Sequence, residues 1–115
     1  MTEDPREQRR FPRVPTEKVV LVKRIGDEAS EALAKTRTVG GGGCMFVHYE
    51  SLGVGTAVEL LLSLPARVIK AQGRVAWETA APNGTFEVGV EFLDVSAKDR
   101  RALEIALADA APAAP

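Results

Sequence analysis

The chain has 115 residues, which is enough for one domain with a single modest core. Its formal net charge of −1 excludes a broad basic surface, so duplex DNA is not expected as a partner. No apolar run approaches bilayer length, and the polar N-terminus lacks the apolar stretch of a secretory signal. The single cysteine, Cys44, cannot form an intrachain disulfide. We therefore expect a soluble cytoplasmic protein without membrane insertion.

The N-terminal segment divides into two parts. Residues 1–8 are polar, which predicts disorder in the free protein. Residues 9–16 form a basic arm whose arginines are Arg9, Arg10 and Arg13. A proline between the arginines favours extended backbone at the residue before it. Arg9 and Arg13 can then aim two guanidinium forks at one anionic ligand, whereas the plainer interpretation is a solvated basic surface.

The next part of the chain reads mostly as strands. Val19–Val22 is a β-branched run that predicts a strand. Residues 28–35 are ambiguous, since their Ala, Glu and Leu content favours a helix by propensity. The glycine run Gly40–Gly43 leads into an apolar strand over Cys44–Tyr49. Such a run is either a mobile turn or a place where backbone can approach a ligand closely.

Three later segments alternate between apolar and polar residues, which predicts half-buried strands over Thr56–Leu64, Arg67–Glu78 and Thr85–Leu93. In the second segment, the inward face is predicted to carry Ile69, Ala71, Val75 and Trp77. Asn83-Gly84 predicts a hairpin between the last two strands.

The C-terminal part predicts one helix. Ser96 and Asp99 have the spacing of a capping box, so we expect a helix within residues 96–108 and a flexible tail over residues 109–115. Short alternating strands joined by glycine, proline and asparagine turns predict an all-β dominated fold, a small antiparallel β-barrel with one C-terminal α-helix.

The residues give little support for catalysis or for a resident cofactor. The single histidine, His48, lies in a strand, where a structural role is far more common than a catalytic one. One Cys and one His cannot build a structural zinc site. The glycine run lacks the lysine of a P-loop, and nothing near Cys44 in the sequence would lower its pKa. We expect no enzyme, no metal and no cofactor.

Two stretches together resemble the PilZ domain, the bacterial receptor module for cyclic di-GMP. Its RxxxR motif matches Arg9-x-x-x-Arg13, and its [DN]xSxxG motif corresponds to Thr38-x-Gly40-x-x-Gly43, with only the last glycine retained. Later stretches, Gly73–Trp77 and Gly89–Asp94, are also similar to the family. The resemblance covers about residues 7–108. It implies a six-stranded barrel over residues 17–93, within a domain of residues 9–108, and a strand from roughly Ala32 to Val39.

The resemblance also implies roles for individual residues. Arg9 and Arg13 would contact the phosphates and guanine bases of cyclic di-GMP, supported by Arg10. The second half of the site would be Thr38, Gly40 and Gly43. Thr38 offers one hydroxyl in place of a carboxylate or amide, and Gly40 offers no side chain. Loss of two contacts of roughly 1–2 kcal/mol each weakens binding by tens- to thousands-fold, and a flexible glycine loop adds an ordering cost.

Three functions remain open from the sequence. The first is a cyclic di-GMP receptor in which binding changes the surface met by a protein partner. The second is a PilZ-like adaptor that no longer binds the nucleotide and works by protein–protein contact, for example in motility or polarity control. The third is an oligonucleotide-binding barrel, to which Arg10 and Phe11 would supply charge and stacking. A homodimer formed through an edge near Cys44–Tyr49 is a further expectation that the sequence leaves open.

Overall fold

The structure, a computed structural model, describes the backbone of residues 13–110 and the side chains of residues 16–108. The predictions for residues 1–8, for Arg9 and Arg10 and for most of the C-terminal tail lie outside the described residues. Among residues 13–110, no helix has the length and apolar character needed to span a bilayer.

The fold is a closed antiparallel barrel. Its strands are β2 (Val19–Arg24), β3 (Ala32–Gly40), β4 (Gly43–His48), β5 (Ala57–Ser63), β6 (Val68–Ala80) and β7 (Phe86–Val95). They follow the order β3-β2-β5-β6-β7-β4, and pairing of β4 with β3 closes the ring. A short strand β1 (Arg13–Pro15) pairs with the end of β3 that extends beyond β2. The predicted six-stranded barrel with one C-terminal helix is confirmed.

Successive residues along each strand point alternately inward and outward, and the inward side chains fill the barrel interior. On β6, burial alternates strictly from Val68 to Val75, which is the pattern that the sequence predicts for a half-buried strand. The largest fully buried side chains are Phe46, Leu60, Ile69 and Leu103. Cys44 and His48 also face this core, and the His48 Nδ1 lies 3.0 Å from the Glu50 carbonyl oxygen.

The helix α1 (Ala97–Ala110) packs Leu103 into the core. Ser96 Oγ accepts the Asp99 N–H at 3.1 Å, as the capping-box spacing predicts. The Asp99 carboxylate accepts the Lys70 N–H at 3.0 Å, and its other oxygen lies 2.9 Å from the Arg67 guanidinium without hydrogen-bond alignment. The first turn of the helix is thereby attached to the start of β6.

Two expectations from the sequence are wrong. A β-bulge between Val75 and Trp77 makes Trp77 pair with Gly89, so the indole lies outside the barrel. A Cβ placed on Gly89 would lie 2.0 Å from Trp77 Nε1, so the ring rests directly on this glycine. The free edge expected at Cys44–Tyr49 is also absent from the described barrel, because β4 pairs with both β3 and β7.

The turn between β4 and β5 is held by a carboxylate. Glu78 accepts hydrogen bonds from Ser51 Oγ at 2.5 Å, from the Leu52 N–H at 2.8 Å and from the Gly53 N–H at 3.3 Å. Burial alone would raise the pKa of the Glu78 carboxyl, but these bonds and nearby His48 together hold it below its ordinary value.

The Glu78→Gln variant is expected to lose about 1–2 kcal/mol of unfolding free energy at pH 7. Because the pKa of Glu78 is lower in the folded state, its contribution is present above the unfolded pKa of about 4.3 and is lost as pH falls through the folded value. Urea unfolding from pH 7 to pH 3 measures this. The difference between wild type and variant should shrink below pH 4.3, and a constant difference would contradict the assignment.

Candidate ligand-binding face

The retained motif residues fall on one outer face of the barrel, in a row across five strands. The Cα register pairs Arg13 with Gly40, Gly40 with Gly43, Gly43 with Glu91, and Glu91 with Arg74. Arg13 and Gly40 are therefore direct neighbours, although they are 27 positions apart in the sequence, and Gly43 lies one strand further along the row.

A second row runs beside the first. Thr38 lies between Pro15 and Met45, and Met45 pairs with Gly89, on which Trp77 rests. A bulge between Thr36 and Thr38 allows this arrangement, because Thr36 and Val39 both point inward while Thr38 faces outward with Met45. The outer face thus presents Thr38, the two glycines and the Arg13 backbone together.

The glycine turn is held in place. Gly41 and Gly42 form a two-residue turn between β3 and β4. The Arg100 guanidinium on α1 donates to the Gly41 carbonyl at 2.8 Å, and the Phe92 N–H donates to the Gly42 carbonyl at 2.9 Å. These bonds oppose the flexibility that the sequence predicts for four glycines, and they lower the entropy cost of ordering this loop around a ligand.

Arg100→Ala is expected to speed amide hydrogen exchange at residues 41–43 by roughly ten- to a hundredfold, because a hydrogen bond to a charged donor contributes roughly 1.5–3 kcal/mol. Exchange followed by NMR or mass spectrometry measures the change. The matched control is Arg101→Ala, which removes the exposed neighbouring arginine on the same helix. Equal exchange in the two variants would show that Arg100 does not hold the turn.

An ion pair ends the first row. The Arg74 guanidinium lies 3.2 Å from Glu91 Oε1, and both side chains are about half exposed. The carboxylate beside Gly43 is thereby partly neutralised, which reduces its repulsion of an anion bound over the glycines. Between Arg13 and this ion pair, the first row consists of Gly40 and Gly43, which have no side chains.

The structure brings together the backbone of Arg13 with Thr38, Gly40 and Gly43, whereas Arg9 and Arg10 lie outside the described residues. Sequence reasoning missed Arg100 and Trp77. Arg100 gives no sequence signal because it contacts a residue 59 positions away, and simple alternation predicts an inward Trp77 because it does not allow for the bulge.

Comparison with known proteins assigns the chain to a family. The PilZ domain family profile matches residues 7–108. The chain belongs to the PilZ domain family. This is a family of cyclic di-GMP receptors and regulators rather than a catalytic family. A comparison with curated protein sequences found no match.

Solved PilZ structures share the fold at low identity. The Bacillus subtilis inhibitor of motility MotI/DgrA superposes with a TM-score of 0.75 at 20% identity, covering 92% of this chain and 56% of MotI. The K. pneumonia MrkH–c-di-GMP complex superposes with a TM-score of 0.68 at 18% identity, covering 89% of this chain and 51% of MrkH. The PilZ domain of YcgR with c-di-GMP from Escherichia coli superposes with a TM-score of 0.62 at 16% identity, covering 88% of this chain and 90% of that domain. The chain thus spans about half the length of MotI and MrkH.

Proposed function

We propose that this PilZ domain is a cyclic di-GMP receptor that uses the face containing Thr38, Gly40 and Gly43. The observation that supports the proposal most is the register of β1, β3 and β4, which sets Arg13 opposite Gly40 and Gly40 opposite Gly43. The family's two motifs are therefore adjacent here, as a ligand that contacts both of them requires.

The chemistry of the face suits a dianionic guanine nucleotide. Arg9, Arg10 and Arg13 supply guanidinium forks that match phosphate oxygens and the O6 and N7 acceptors of guanine. Gly40 and Gly43 leave space for close approach, and the Thr38 hydroxyl supplies one hydrogen bond. Arg100 acts as a positioning residue, because it holds the glycine turn without belonging to the face itself.

Binding would hold Arg9 and Arg10, which precede β1, against this face and change the surface that a protein partner meets. No step in this scheme is catalytic, and the nucleotide is a signal rather than a substrate or a cofactor. The partner is a protein whose identity the chain does not specify.

Calorimetric titration with cyclic di-GMP tests the proposal, with cyclic di-AMP as the control ligand. We expect saturable binding of cyclic di-GMP in the micromolar to millimolar range and weaker binding of cyclic di-AMP, because adenine presents a donor where guanine has O6. No saturable heat at millimolar cyclic di-GMP, or equal affinity for both nucleotides, would contradict it.

The second candidate function is a PilZ adaptor that has lost nucleotide binding and works through protein contacts, for example in motility or polarity control. It is favoured by one observation, the replacement of the motif's acidic or amide residue and its serine by Thr38 and Gly40. A dissociation constant in the low micromolar range that Arg9→Ala abolishes would rule out this candidate.

A further inference from the structure

The barrel carries an apolar outer surface away from the two rows described above. Leu33 on β3 pairs with Leu21 on β2, and Leu21 pairs with Leu61 on β5. Their side chains point outward, because the intervening Val20, Val22, Leu60 and Leu62 fill the core. Val19 and Val68 extend the row on one side. We call these five residues the leucine face: Val19, Leu21, Leu33, Leu61 and Val68.

The leucine face is open to solvent. Leu33 is 72% exposed, Val68 is 55% exposed and Val19 is 44% exposed. Beside Val68 and Val19, a groove of about 390 Å³ continues the apolar surface towards α1, where Ile105 is 56% exposed. Single exposed apolar residues are ordinary, but a contiguous patch of this kind marks an interaction surface.

We infer that the leucine face is the interface of a homodimer with its two-fold axis along the Leu33–Leu21–Leu61 row. Such an axis places each leucine of the row against its own copy in the partner. It also brings each end of the leucine face, along the strand direction, against the opposite end of the partner's face. An isologous interface must be self-complementary in this sense.

The charges at the two ends meet that requirement. The end beside the groove carries the cations Lys18, Lys35 and Arg67 with the acids Glu17 and Asp99, which leaves an excess of one positive charge. The opposite end, at the connection between β2 and β3, carries the acids Asp27, Glu28 and Glu31 with the cation Lys23, which leaves an excess of negative charge. Glu31 and Lys35 lie two residues before and after Leu33, so the axis brings Lys35 of one copy to Glu31 of the partner.

The ion pairs around the leucine face argue against an anionic partner such as an acidic peptide or a phospholipid surface. Lys35 Nζ lies 3.8 Å from Glu17, Lys70 Nζ lies 3.9 Å from Glu59, and Lys23 Nζ lies 2.9 Å from Glu28. The cations are balanced by neighbouring acids, so the face as a whole has little net positive potential to attract an anion. A mixed-sign rim around an apolar centre fits a second copy better.

The size of the face sets the strength of the association. The leucine face is only about 14 Å wide, because it crosses four neighbouring strands, so its area falls well short of the roughly 800 Å² per partner of a standard interface. We therefore expect a weak, reversible dimer that forms at high protein concentration.

Sedimentation equilibrium of the full chain, from about 20 µM to about 1 mM, tests the inference. Wild type should show a monomer–dimer equilibrium, and Leu33→Glu should weaken it at least tenfold. Leu93→Glu is the matched control, because Leu93 is a 58% exposed strand leucine outside the leucine face. Thermal melts confirm that each variant is folded. A monomeric wild type at 1 mM, or equal loss in both variants, would overturn the inference.

A charge exchange tests the axis. Lys35→Glu should weaken the dimer, and Lys35→Glu combined with Glu31→Lys should restore it. Failure of the double variant to regain association would overturn the proposed axis. Sedimentation with anionic phosphatidylserine vesicles tests the other partner class, and Leu33-dependent vesicle binding by monomeric protein would replace the dimer with a lipid surface. None of these measurements involves cyclic di-GMP, so they stand apart from the receptor proposal.

Discussion

The Thr38→Asn, Gly40→Ser double variant is expected to bind cyclic di-GMP roughly thirty- to a thousandfold more tightly than wild type. Both substitutions restore the family's [DN]xSxxG motif on a backbone that already presents these two positions outward, beside Met45 and Gly43. Each regained polar contact contributes roughly 1–2 kcal/mol, and every 1.4 kcal/mol is a factor of ten in affinity. Calorimetric titration of both proteins gives the ratio of the dissociation constants.

Two controls make this result specific. Thr38→Val keeps the side-chain volume and removes the hydroxyl, so it should weaken binding or leave it at the wild-type level. Adding Arg13→Ala to the double variant should remove most of the gain, because the same ligand must contact both motifs. If the double variant binds no more tightly than wild type, the ligand does not use this face.

The Gly73→Ala variant is expected to lose about 2–4 kcal/mol of unfolding free energy. A Cβ at this position would lie 2.4 Å from the Glu91 backbone oxygen and 2.8 Å from Val90 Cγ1. Gly73 sits at a bulge in the register between β6 and β7, so relieving the contact requires these strands to move apart. Chemical denaturation monitored by circular dichroism measures the loss.

The matched control is Gly84→Ala in the hairpin between β6 and β7. Gly84 has a φ of +82°, and a Cβ there would meet nothing within 4 Å, so only backbone strain of about 1 kcal/mol opposes alanine. The comparison separates a steric contact inside the barrel from the conformational preference of glycine in a turn. Equal destabilisation of the two variants would contradict the close packing at Gly73.

The strands that alternate clearly were predictable from the sequence. β5 and the part of β6 up to Val75 follow the period of two expected for half-buried strands, and the Asn83-Gly84 hairpin joins β6 and β7 as expected. β3 was not predictable from local propensity, which favours a helix. Only a single 3-10 turn forms, at Glu28–Ser30, and Ala32–Gly40 becomes a strand because β2 and β4 both pair with it. Tertiary pairing therefore decides this segment.

The parts that the sequence did not show depend on register and on contacts between distant residues. The bulge that turns Trp77 outward has no sequence signal in a run of alternating residues. The bond from Arg100 to Gly41 joins a helix to a turn, and no periodic pattern reports such a contact. The free edge expected at Cys44–Tyr49 is removed because β4 pairs with the distant strand β7 as well as with its hairpin neighbour β3.

The candidate site was predictable in part. The glycine run and the arginine spacing predict the residues of the site, and the resemblance to PilZ domains implies their roles. Their adjacency required the structure, because Arg13 meets Gly40 only through the pairing of a three-residue strand with β3. That short strand joins the basic arm to the glycine turn.

An NMR titration of ¹⁵N-labelled protein with cyclic di-GMP tests the receptor proposal most directly, carried out on wild type and on Arg13→Ala. The amide signals of Val14, Thr38 and residues 40–45 should shift in a saturable way in wild type. The dissociation constant obtained from these shifts should be at least tenfold higher in the variant. The signals of the leucine face should stay in place. No shift at millimolar ligand, or shifts confined to other strands, would contradict the account.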